Sequence, residues 1–534
     1  MKIYTFDTTL RDGTQGEGVS LSVDDKLLIT QKLDALGIDY IEGGWPGSNP
    51  RDKEFFTRVR ELKLEHARIV AFGSTRLAKN TVEQDPNVRA LAEADTPVVS
   101  IFGKTWDLHV IRGLGISLEE NLKLISETVL YLRNCEKEVV YDAEHFFDGF
   151  TADSTYALRT LHAAKTSGAN VLCLCDTNGG TLPTRVGEIV KEVRKHFDGA
   201  IGIHTHNDSD LAVANTLAAV EAGATLVQGC MNGYGERCGN ANLASIIAIL
   251  ELRMRHATIG LEKLTNLSRA CAFIAEVANL PLPSNQPFVG RSAFAHKGGI
   301  HVSAVLKDPV TYEHIPPEAV GNLRRVLVSD LAGRANIVYR LKQQGLGDRL
   351  DDRARGVLLE RIKQLEHEGY DLEAADGNFE LLVRSAIHPD LHLFDVERYE
   401  VVTGTDSTHP LHTTATVTLR ARGQEHSATA SDHSPIDALH SCLRTCLESL
   451  YPQIKDVHLT DYKVRLLHRE KGVATKVRVL VNWTANHEKW STVGVSDSVV
   501  EASWNALLDA MRLQLMRLTE TSGSIETRVD SAVP

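Results

Sequence analysis

The chain has 534 residues, 43% of them hydrophobic and 24% charged, which is typical of a globular protein with about two to four domains. Its net charge of -12 argues against binding to nucleic acid or to an anionic membrane surface, and no apolar run approaches the roughly 18 residues of a membrane span. The eight cysteines form no CxxC pair, which predicts reduced thiols in a cytoplasmic protein.

Eight short β-branched runs alternate with amphipathic helix-length segments between residue 1 and about residue 255. Glycine follows several of these helices, as at Gly37, Gly168 and Gly223, which is the usual signal for a helix end. This order predicts a closed (β/α)8 TIM barrel over residues 1–255, with a doubly wound open sheet as the alternative. The strand candidates are IYTF, DYIEGG, ARIVAFG, PVVSIFG, EVVYDAE, NVLCLCD, AIGIHTH and TLVQGC.

The alternation ends after residue 255. Residues 256–377 contain helical segments and a Gly/Pro-rich loop, and we expect a helical linker subdomain there. Residues 378–534 contain an internal repeat, because HSPIDALHSCL resembles the later DSVVEASWNAL and each copy follows a pair of strands. The repeat predicts a C-terminal α+β domain of two ββα units. It has no cluster of catalytic residue types, so we expect a role in binding or assembly.

Polar side chains follow the predicted strands at the end of the barrel where catalytic residues lie. Asp12 follows the first strand, His204 and His206 end the seventh, and Asn240 lies in the loop after the eighth. Residues i and i+2 of a strand point to the same face, so both imidazoles can reach one ion. Barrel closure makes strands seven, eight and one neighbours. These four residues therefore predict a divalent metal site, and Mn²⁺, Mg²⁺ and Zn²⁺ all remain open.

Three motifs carry a resemblance to a known family. LRDGTQ with Lys26 after a ten-residue gap, HTHND, and GERCGNANL resemble the 2-isopropylmalate, homocitrate and citramalate synthase family. The barrel, linker and terminal repeat match that family over nearly the whole chain. Within it, GGWPGSNPRDKEFF and KTWDLHV are most similar to the longer, bacterial citramalate synthase branch. One departure is Asp210, which replaces the family's glycine and is expected to change packing more than chemistry.

The resemblance implies an acyltransferase that converts the acyl group to alkyl on transfer. Acetyl-CoA would attack the keto carbon of pyruvate in a Claisen-type condensation, and thioester hydrolysis would give (R)-citramalate and CoA for isoleucine biosynthesis via 2-oxobutyrate. Two alternatives remain open. One is a 2-isopropylmalate synthase acting on 2-oxoisovalerate in leucine biosynthesis, and the other is a non-catalytic amino-acid sensor.

The resemblance also implies roles for barrel residues. Arg11 is expected to contact the developing oxyanion as a catalytic and substrate-binding group. Thr177 is expected to hydrogen-bond the carboxylate of the 2-oxo acid, and Glu144 is expected near the acetyl methyl group. Gln15, beside the RDG motif, is expected to support the bound substrate.

The resemblance places two linker residues, His301 and Tyr312, in the active site, contributed by the other subunit of a homodimer. His296 competes with His301 for the role of catalytic base, and their spacing does not separate them. The terminal repeat is expected to bind isoleucine as an effector at two Ser-Asp turns, Ser431-Asp432 and Ser496-Asp497. Helix capping is the alternative role of these turns.

Four further polar residues follow predicted strands. Arg76 and Lys104 are candidates for contacts with the phosphates of CoA. Asp142 and Asp176 are left out of the catalytic set, because strand-end acids are as often caps or paired structural charges.

Overall fold

A computed structural model of the chain describes residues 1–327, 334–343, 346, 349–405, 412–467, 476–486 and 488–521. These residues form two compact units. The first contains Met1–Phe294 and Glu313–Arg324, and the second contains Ala295–Tyr312 and the described residues from Arg325 onward. No helix within the described part of the chain is long and apolar enough to cross a membrane.

The first unit is a closed barrel of eight parallel strands, because β1 pairs with both β2 and β8. All eight predicted strands are confirmed, and the alternative of an open sheet is wrong. The strands are β1 (Tyr4–Asp7), β2 (Tyr40–Gly44), β3 (Arg68–Ser74), β4 (Val98–Lys104), β5 (Glu138–Glu144), β6 (Val171–Asp176), β7 (Ala200–Thr205) and β8 (Leu226–Gly229). The helices are α1 (Val23–Leu36), α2 (Pro50–Arg58), α3 (Pro86–Glu93), α4 (Leu118–Asn134), α5 (Phe146–Ala152), α6 (Ser154–Thr166), α7 (Pro183–His196), α8 (Ala212–Glu221), α9 (Leu243–Leu252), α10 (Leu261–Leu264) and α11 (Leu267–Val277).

Local sequence signals set the helix ends of the barrel. Helix α1 begins with a capping box in which Ser22 and Asp25 satisfy each other's backbone N–H groups. It ends at Gly37, whose φ of 91° favours glycine. Apolar side chains such as Phe6, Val70 and Val140 fill the barrel interior, and burying each contributes about 1.5–3 kcal/mol. This core supports the polar residues at the C-terminal ends of the strands.

The second unit begins with β9 (Ala295–His296) and α12 (Gly299–Lys307). It continues with β10 (Arg325–Val326), α13 (Arg334–Gln343), α14 (Asp352–Glu368) and α15 (Asp376–Ile387). Two antiparallel three-stranded sheets follow, each with one helix. The first has β11 (Asp395–Gly404), β12 (His412–Ala421), β13 (Gln424–Asp432) and α16 (Pro435–Glu448); the second has β14 (His458–Leu467), β15 (Lys476–Ala485), β16 (Glu488–Ser496) and α17 (Val499–Thr521).

The internal repeat corresponds to these two sheets and their helices. The predicted strand pairs are β12–β13 and β15–β16, and the structure adds a third strand, β11 or β14, ahead of each pair. Helix α16 packs on the first sheet and α17 on the second, and the two helices contact each other. Their buried side chains form one shared apolar core.

Candidate active site

The turn after β1 places an arginine beside two carboxylates. Arg11 Nε donates a hydrogen bond of 2.6 Å to Oε2 of Glu42, which is fully buried near the end of β2. One Nη atom of Arg11 lies 3.3 Å from Asp12 Oδ2, and the guanidinium carbon lies 3.6 Å from the centroid of the Phe72 ring. These contacts fix the plane of the guanidinium group, which lines a cavity at the C-terminal end of the barrel.

The electrostatics keep Arg11 positively charged. Burial acts to lower the pKa of Arg11, but the carboxylates of Glu42 and Asp12 outweigh burial and raise it above its ordinary value. Burial acts to raise the pKa of Glu42, and the adjacent guanidinium of Arg11 opposes that shift. The pKa of Asp12 is lowered, since Arg11 and His204 together outweigh the effect of burial. The site therefore contains an ionised Asp12 next to a fixed cation.

The predicted metal ligands come together. Ligand atoms of Asp12, His204 and His206 all lie within 4.8 Å of one another. The two Nε2 atoms are 3.2 Å apart, and Oδ2 of Asp12 is 3.5 Å from Nε2 of His204. Oδ1 of Asp12 and Oδ1 of Asn240 are buried without a hydrogen-bond partner. Converging lone pairs and unsatisfied oxygens fit a divalent cation, and they would be costly without one.

A hydrogen-bond chain behind the metal cluster sets the tautomer of His204. Ser100 Oγ and Gln228 Nε2 donate to the two oxygens of Asp142, at 2.6 and 2.9 Å. This orients Gln228 Oε1 toward His204 Nδ1, 2.9 Å away, so Nδ1 carries the proton and donates it. The lone pair of His204 is then on Nε2, toward the cluster. Burial and the neighbouring His204 lower the pKa of His206 to about 3, which keeps its imidazole neutral.

The cavity has a volume of about 230 Å³ and is lined by first-unit residues. Six of the predicted site residues other than Arg11 line it: Asp12, Gln15, Glu144, Thr177, His204 and His206. Glu144 forms an ion pair with Lys104, so its negative charge at the cavity is paired with a positive one. Further lining residues that the sequence did not single out as site residues are Trp45, Phe72, Phe102 and Cys175.

An aromatic wall, made of Trp45, Phe72 and Phe102, closes one side of the cavity. The indole ring meets both phenyl rings edge-on, with centroids 5.6 and 5.8 Å apart, and the phenyl rings stack at 5.6 Å. The indole N–H donates to Asn87 Oδ1 at 2.6 Å, and the Trp45 backbone N–H donates to Asp52 Oδ2 at 2.9 Å. The wall is thus held by hydrogen bonds as well as by packing.

Lys26, the lysine that follows the first motif, has a structural role. Lys26 is buried, and its Nζ donates to Asp52 Oδ1 at 2.6 Å and to the carbonyl of Gly43 at 3.0 Å. Asp52 in turn holds the backbone of Trp45. A Cβ atom at Gly43 would lie 2.1 Å from the Phe55 ring, so only glycine fits at this bulged end of β2. Lys26 therefore positions the aromatic wall through Asp52, which holds the backbone of Trp45.

The linker residues lie in the second unit. The rings of His301 and Tyr312 stack on each other with centroids 4.3 Å apart, and 46% of the surface of Tyr312 is exposed. His296 lies in β9, where its backbone carbonyl accepts a hydrogen bond from Leu327. The roles of His301 and Tyr312 in catalysis stay predictions.

Two other polar residues that follow strands, Arg76 and Asp176, are bound by neighbouring side chains. Arg76 is buried against Glu120 and Glu127, which disfavours a contact with CoA phosphates. Asp176 accepts hydrogen bonds from Thr181 and Asn215, in agreement with a structural role.

Asp142 differs from its sequence-based prediction, whereas Asp210 does not. Asp142 lines the cavity and supports His204 through Gln228, so it belongs to the site although it was left out of the catalytic set. Asp210 has a φ of 57°, a conformation that glycine favours and aspartate tolerates, which explains the departure at that position. Its backbone N–H donates to the carbonyl of Asn207, and it lines no part of the cavity.

Three family profiles match consecutive parts of the chain. Residues 2–271 match the HMGL-like family, residues 288–370 match the homocitrate synthase post-HMGL domain, and residues 373–515 match the LeuA allosteric (dimerisation) domain. The chain is 50% identical to an (R)-citramalate synthase of Aquifex aeolicus, with 97% of this chain and 98% of that protein aligned. An (R)-citramalate synthase of Geobacter sulfurreducens is 49% identical, over 98% of this chain and 99% of its own length. A 2-isopropylmalate synthase of Clostridium kluyveri is 31% identical, over 96% of each chain.

Proposed function

Because the chain belongs to the HMGL-like family and, within it, to the (R)-citramalate synthases, we propose that its barrel condenses acetyl-CoA with pyruvate to give (R)-citramalate and CoA. The observation that carries this proposal is the cluster of Asp12, His204 and His206 beside a fixed Arg11 in a small, partly aromatic cavity. An intact cluster of this kind also disfavours the non-catalytic sensor. The lower identity to a 2-isopropylmalate synthase disfavours that alternative.

We propose that Asp12, His204, His206 and Asn240 hold one divalent ion, which is Mn²⁺, Mg²⁺ or Zn²⁺. When bound, such an ion polarises the keto group of the acceptor and neutralises charge that develops on its oxygen. Arg11 donates to that same oxygen, and Glu42 keeps its guanidinium in place. Asp142 and Gln228 hold His204 in the tautomer that leaves Nε2 free for the ion.

The organic substrates would be oriented by the rest of the cavity. Thr177 donates to the carboxylate of the 2-oxo acid, and Gln15 supports it from the turn after β1. Glu144, which forms an ion pair with Lys104, lies near the acetyl methyl group. His301 with the stacked Tyr312 supplies the base that removes the methyl proton, from the second subunit of a homodimer.

The test of this function is release of free CoA thiol by the purified chain with a panel of 2-oxo acids. We expect release with pyruvate and a product that matches an (R)-citramalate standard on a chiral column. Release with 2-oxoisovalerate alone would instead support the isopropylmalate reaction. No release with any 2-oxo acid would support the sensor.

The aromatic wall predicts acceptor selectivity. Replacing Phe102 with Ala should enlarge the cavity and improve 2-oxobutyrate relative to pyruvate by about tenfold in kcat/KM, since one methylene in a pocket is worth about 1–3 kcal/mol. Steady-state kinetics with both acids measure this ratio. Phe197→Ala is the control, because Phe197 is buried in the barrel but does not line the cavity. An unchanged ratio for Phe102→Ala would contradict a role of the wall in selectivity.

The match to the LeuA allosteric (dimerisation) domain indicates a dimer with a regulatory site, and we propose isoleucine as the effector. Helix caps fall on Ser434, which accepts from Asp437 N–H, and on Ser498, which accepts from Glu501 N–H. Asp432 and Asp497 are exposed and are not the cap residues. Oδ1 of Asp432 accepts a hydrogen bond of 2.7 Å from the backbone N–H of His433, and its other carboxylate oxygen is placed to meet the ammonium group of an amino acid.

Isoleucine should inhibit the full-length enzyme and bind it in calorimetry, whereas alanine should not. Asp432→Asn should weaken the affinity about tenfold, because a charge-assisted hydrogen bond is lost. Glu425→Gln is the matched control, since Glu425 is an exposed acid on the same strand. An enzyme that binds no branched-chain amino acid would leave the terminal domain with an assembly role only.

The domain boundaries and the cellular location are also proposals. We propose a catalytic segment of residues 1–255, a linker of residues 256–377 and a regulatory segment of residues 378–534. All eight cysteines are free of disulfides, and six of them are buried, which supports a reducing cytoplasm.

A further inference from the structure

His145 adopts a backbone conformation that is unusual for a residue with a side chain. It directly follows β5, and its φ of 56° and ψ of 35° lie in the left-handed region. Non-glycine residues persist there when their surroundings hold them, and such residues are concentrated at functional sites. The neighbouring Glu144 lines the active-site cavity, so the unusual turn lies at the edge of the site.

The turn at His145 directs its backbone N–H at Thr177, the residue proposed to bind the 2-oxo acid. The N–H of His145 donates a hydrogen bond of 2.9 Å to Oγ1 of Thr177, at the C-terminal end of β6. Arg237 Nη2 donates to the carbonyl of Thr177 at 2.7 Å, so this residue is held at both its side chain and its backbone. A threonine hydroxyl has one proton and two lone pairs. Since one lone pair accepts from His145, the proton is left to be donated elsewhere.

The side chain of His145 fixes the turn. Its Nδ1 lies 3.1 Å from Oδ2 of Asp148, which also accepts from Asn178 at 3.0 Å. The imidazole packs edge-on against the ring of His109, with centroids 4.3 Å apart, and lies 5.9 Å from the ring of Trp106. Only 12% of the His145 side chain is exposed. These contacts come from the segments that follow β4, β5 and β6. Together they offset the cost of the left-handed backbone.

We infer that His145 is a positioning residue, whose left-handed turn aims the Thr177 hydroxyl proton into the cavity, toward the carboxylate of the 2-oxo acid. This inference rests on the proposed role of Thr177. The position of Glu144 does not depend on the turn, because Glu144 pairs with Lys104 in the β4–β5 ladder and its carbonyl accepts from Thr105 Oγ1 at 2.6 Å. Loss of the His145 side chain should therefore act on binding of the 2-oxo acid rather than on the acetyl group.

Three single variants separate positioning from stability. His145→Ala should raise the KM for pyruvate about tenfold or more, as expected for a misplaced hydrogen bond to a carboxylate, and should leave the KM for acetyl-CoA within about threefold. His145→Asn should stay within about threefold of the parent, because asparagine tolerates the left-handed region. Glu136→Ala is the control, since Glu136 is exposed, has a φ of 59° and lies before β5, at its other end. It should lower the Tm without changing KM.

A double-mutant cycle with Thr177→Val completes the test. Thr177→Val should itself raise the KM for pyruvate, and adding His145→Ala should raise it no further. If Thr177→Val leaves KM unchanged, the proposed role of Thr177 is wrong and this inference fails with it. If Thr177→Val raises KM but His145→Ala only lowers the Tm, or if the two effects multiply, Thr177 keeps its role and the inference about His145 is overturned.

Discussion

Replacing His204 with alanine is expected to remove the bound divalent ion and, with it, nearly all formation of citramalate. Without His204, Asp12 and His206 are too few ligands to bind the ion tightly. The variant also loses the hydrogen bond between His204 and Gln228. A divalent cation contributes several kcal/mol to the stabilisation of developing charge, so we expect kcat to fall by about 10³-fold or more. The fold should survive, because the alanine remains in β7, which pairs with β6 and β8 in the closed barrel.

Metal content by mass spectrometry is the first measurement, and turnover is the second. The parent enzyme should also gain thermal stability when the ion is added after chelation, and His204→Ala should gain none. His196→Ala is the control, since His196 lies exposed in the last turn of α7 and does not line the active-site cavity. A His204→Ala enzyme with full metal content and full rate would refute this assignment of ligands.

Arg11→Lys should lower kcat by about 10²-fold although it keeps the positive charge. The guanidinium meets Glu42, Asp12 and the face of Phe72 at the same time, and a lysine ammonium cannot reproduce these directions. The loss should fall on kcat, because charge on the keto oxygen develops only as the carbon–carbon bond forms.

Steady-state kinetics at saturating acetyl-CoA measure this change. Arg76→Lys is the matched control, because Arg76 is also buried between two carboxylates, those of Glu120 and Glu127, but does not line the active-site cavity. It should reduce stability and leave kcat unchanged. A raised KM for pyruvate with an intact kcat in Arg11→Lys would assign Arg11 to binding alone.

The cluster of Asp12, His204 and His206 was predictable from sequence because two simple rules apply to it. Alternation along a strand puts His204 and His206 on one face, and barrel closure brings Asp12 beside them. The partner of Arg11 was not predictable in this way. Glu42 lies next to a bulge at Gly43, and the bulge, which depends on packing against Phe55, sets the direction of the side chain.

Other features depend on backbone geometry or on weak patterns. The left-handed turn at His145 could not be predicted, because a histidine in the sequence does not by itself indicate a positive φ. Strands β11 and β14 were missed because they are edge strands with many exposed and charged side chains, which weakens the alternation of apolar residues. Their partners β12 and β15 alternate clearly and were predicted.

The pairing of β1 with β8 has a consequence for how this chain folds during its synthesis on the ribosome. Thr8 and Cys230, which are in contact across this seam, are 222 residues apart in the chain. At about 5–20 residues per second, a ribosome needs about 10–45 seconds to make the segment between them. During that time the nascent sheet has two open edges, and Asp12 has already left the ribosome long before His204 and His206 exist. An ion at the proposed site could therefore meet its full set of ligands only after the chain has been made as far as Asn240, so it cannot template the folding of the earlier strands.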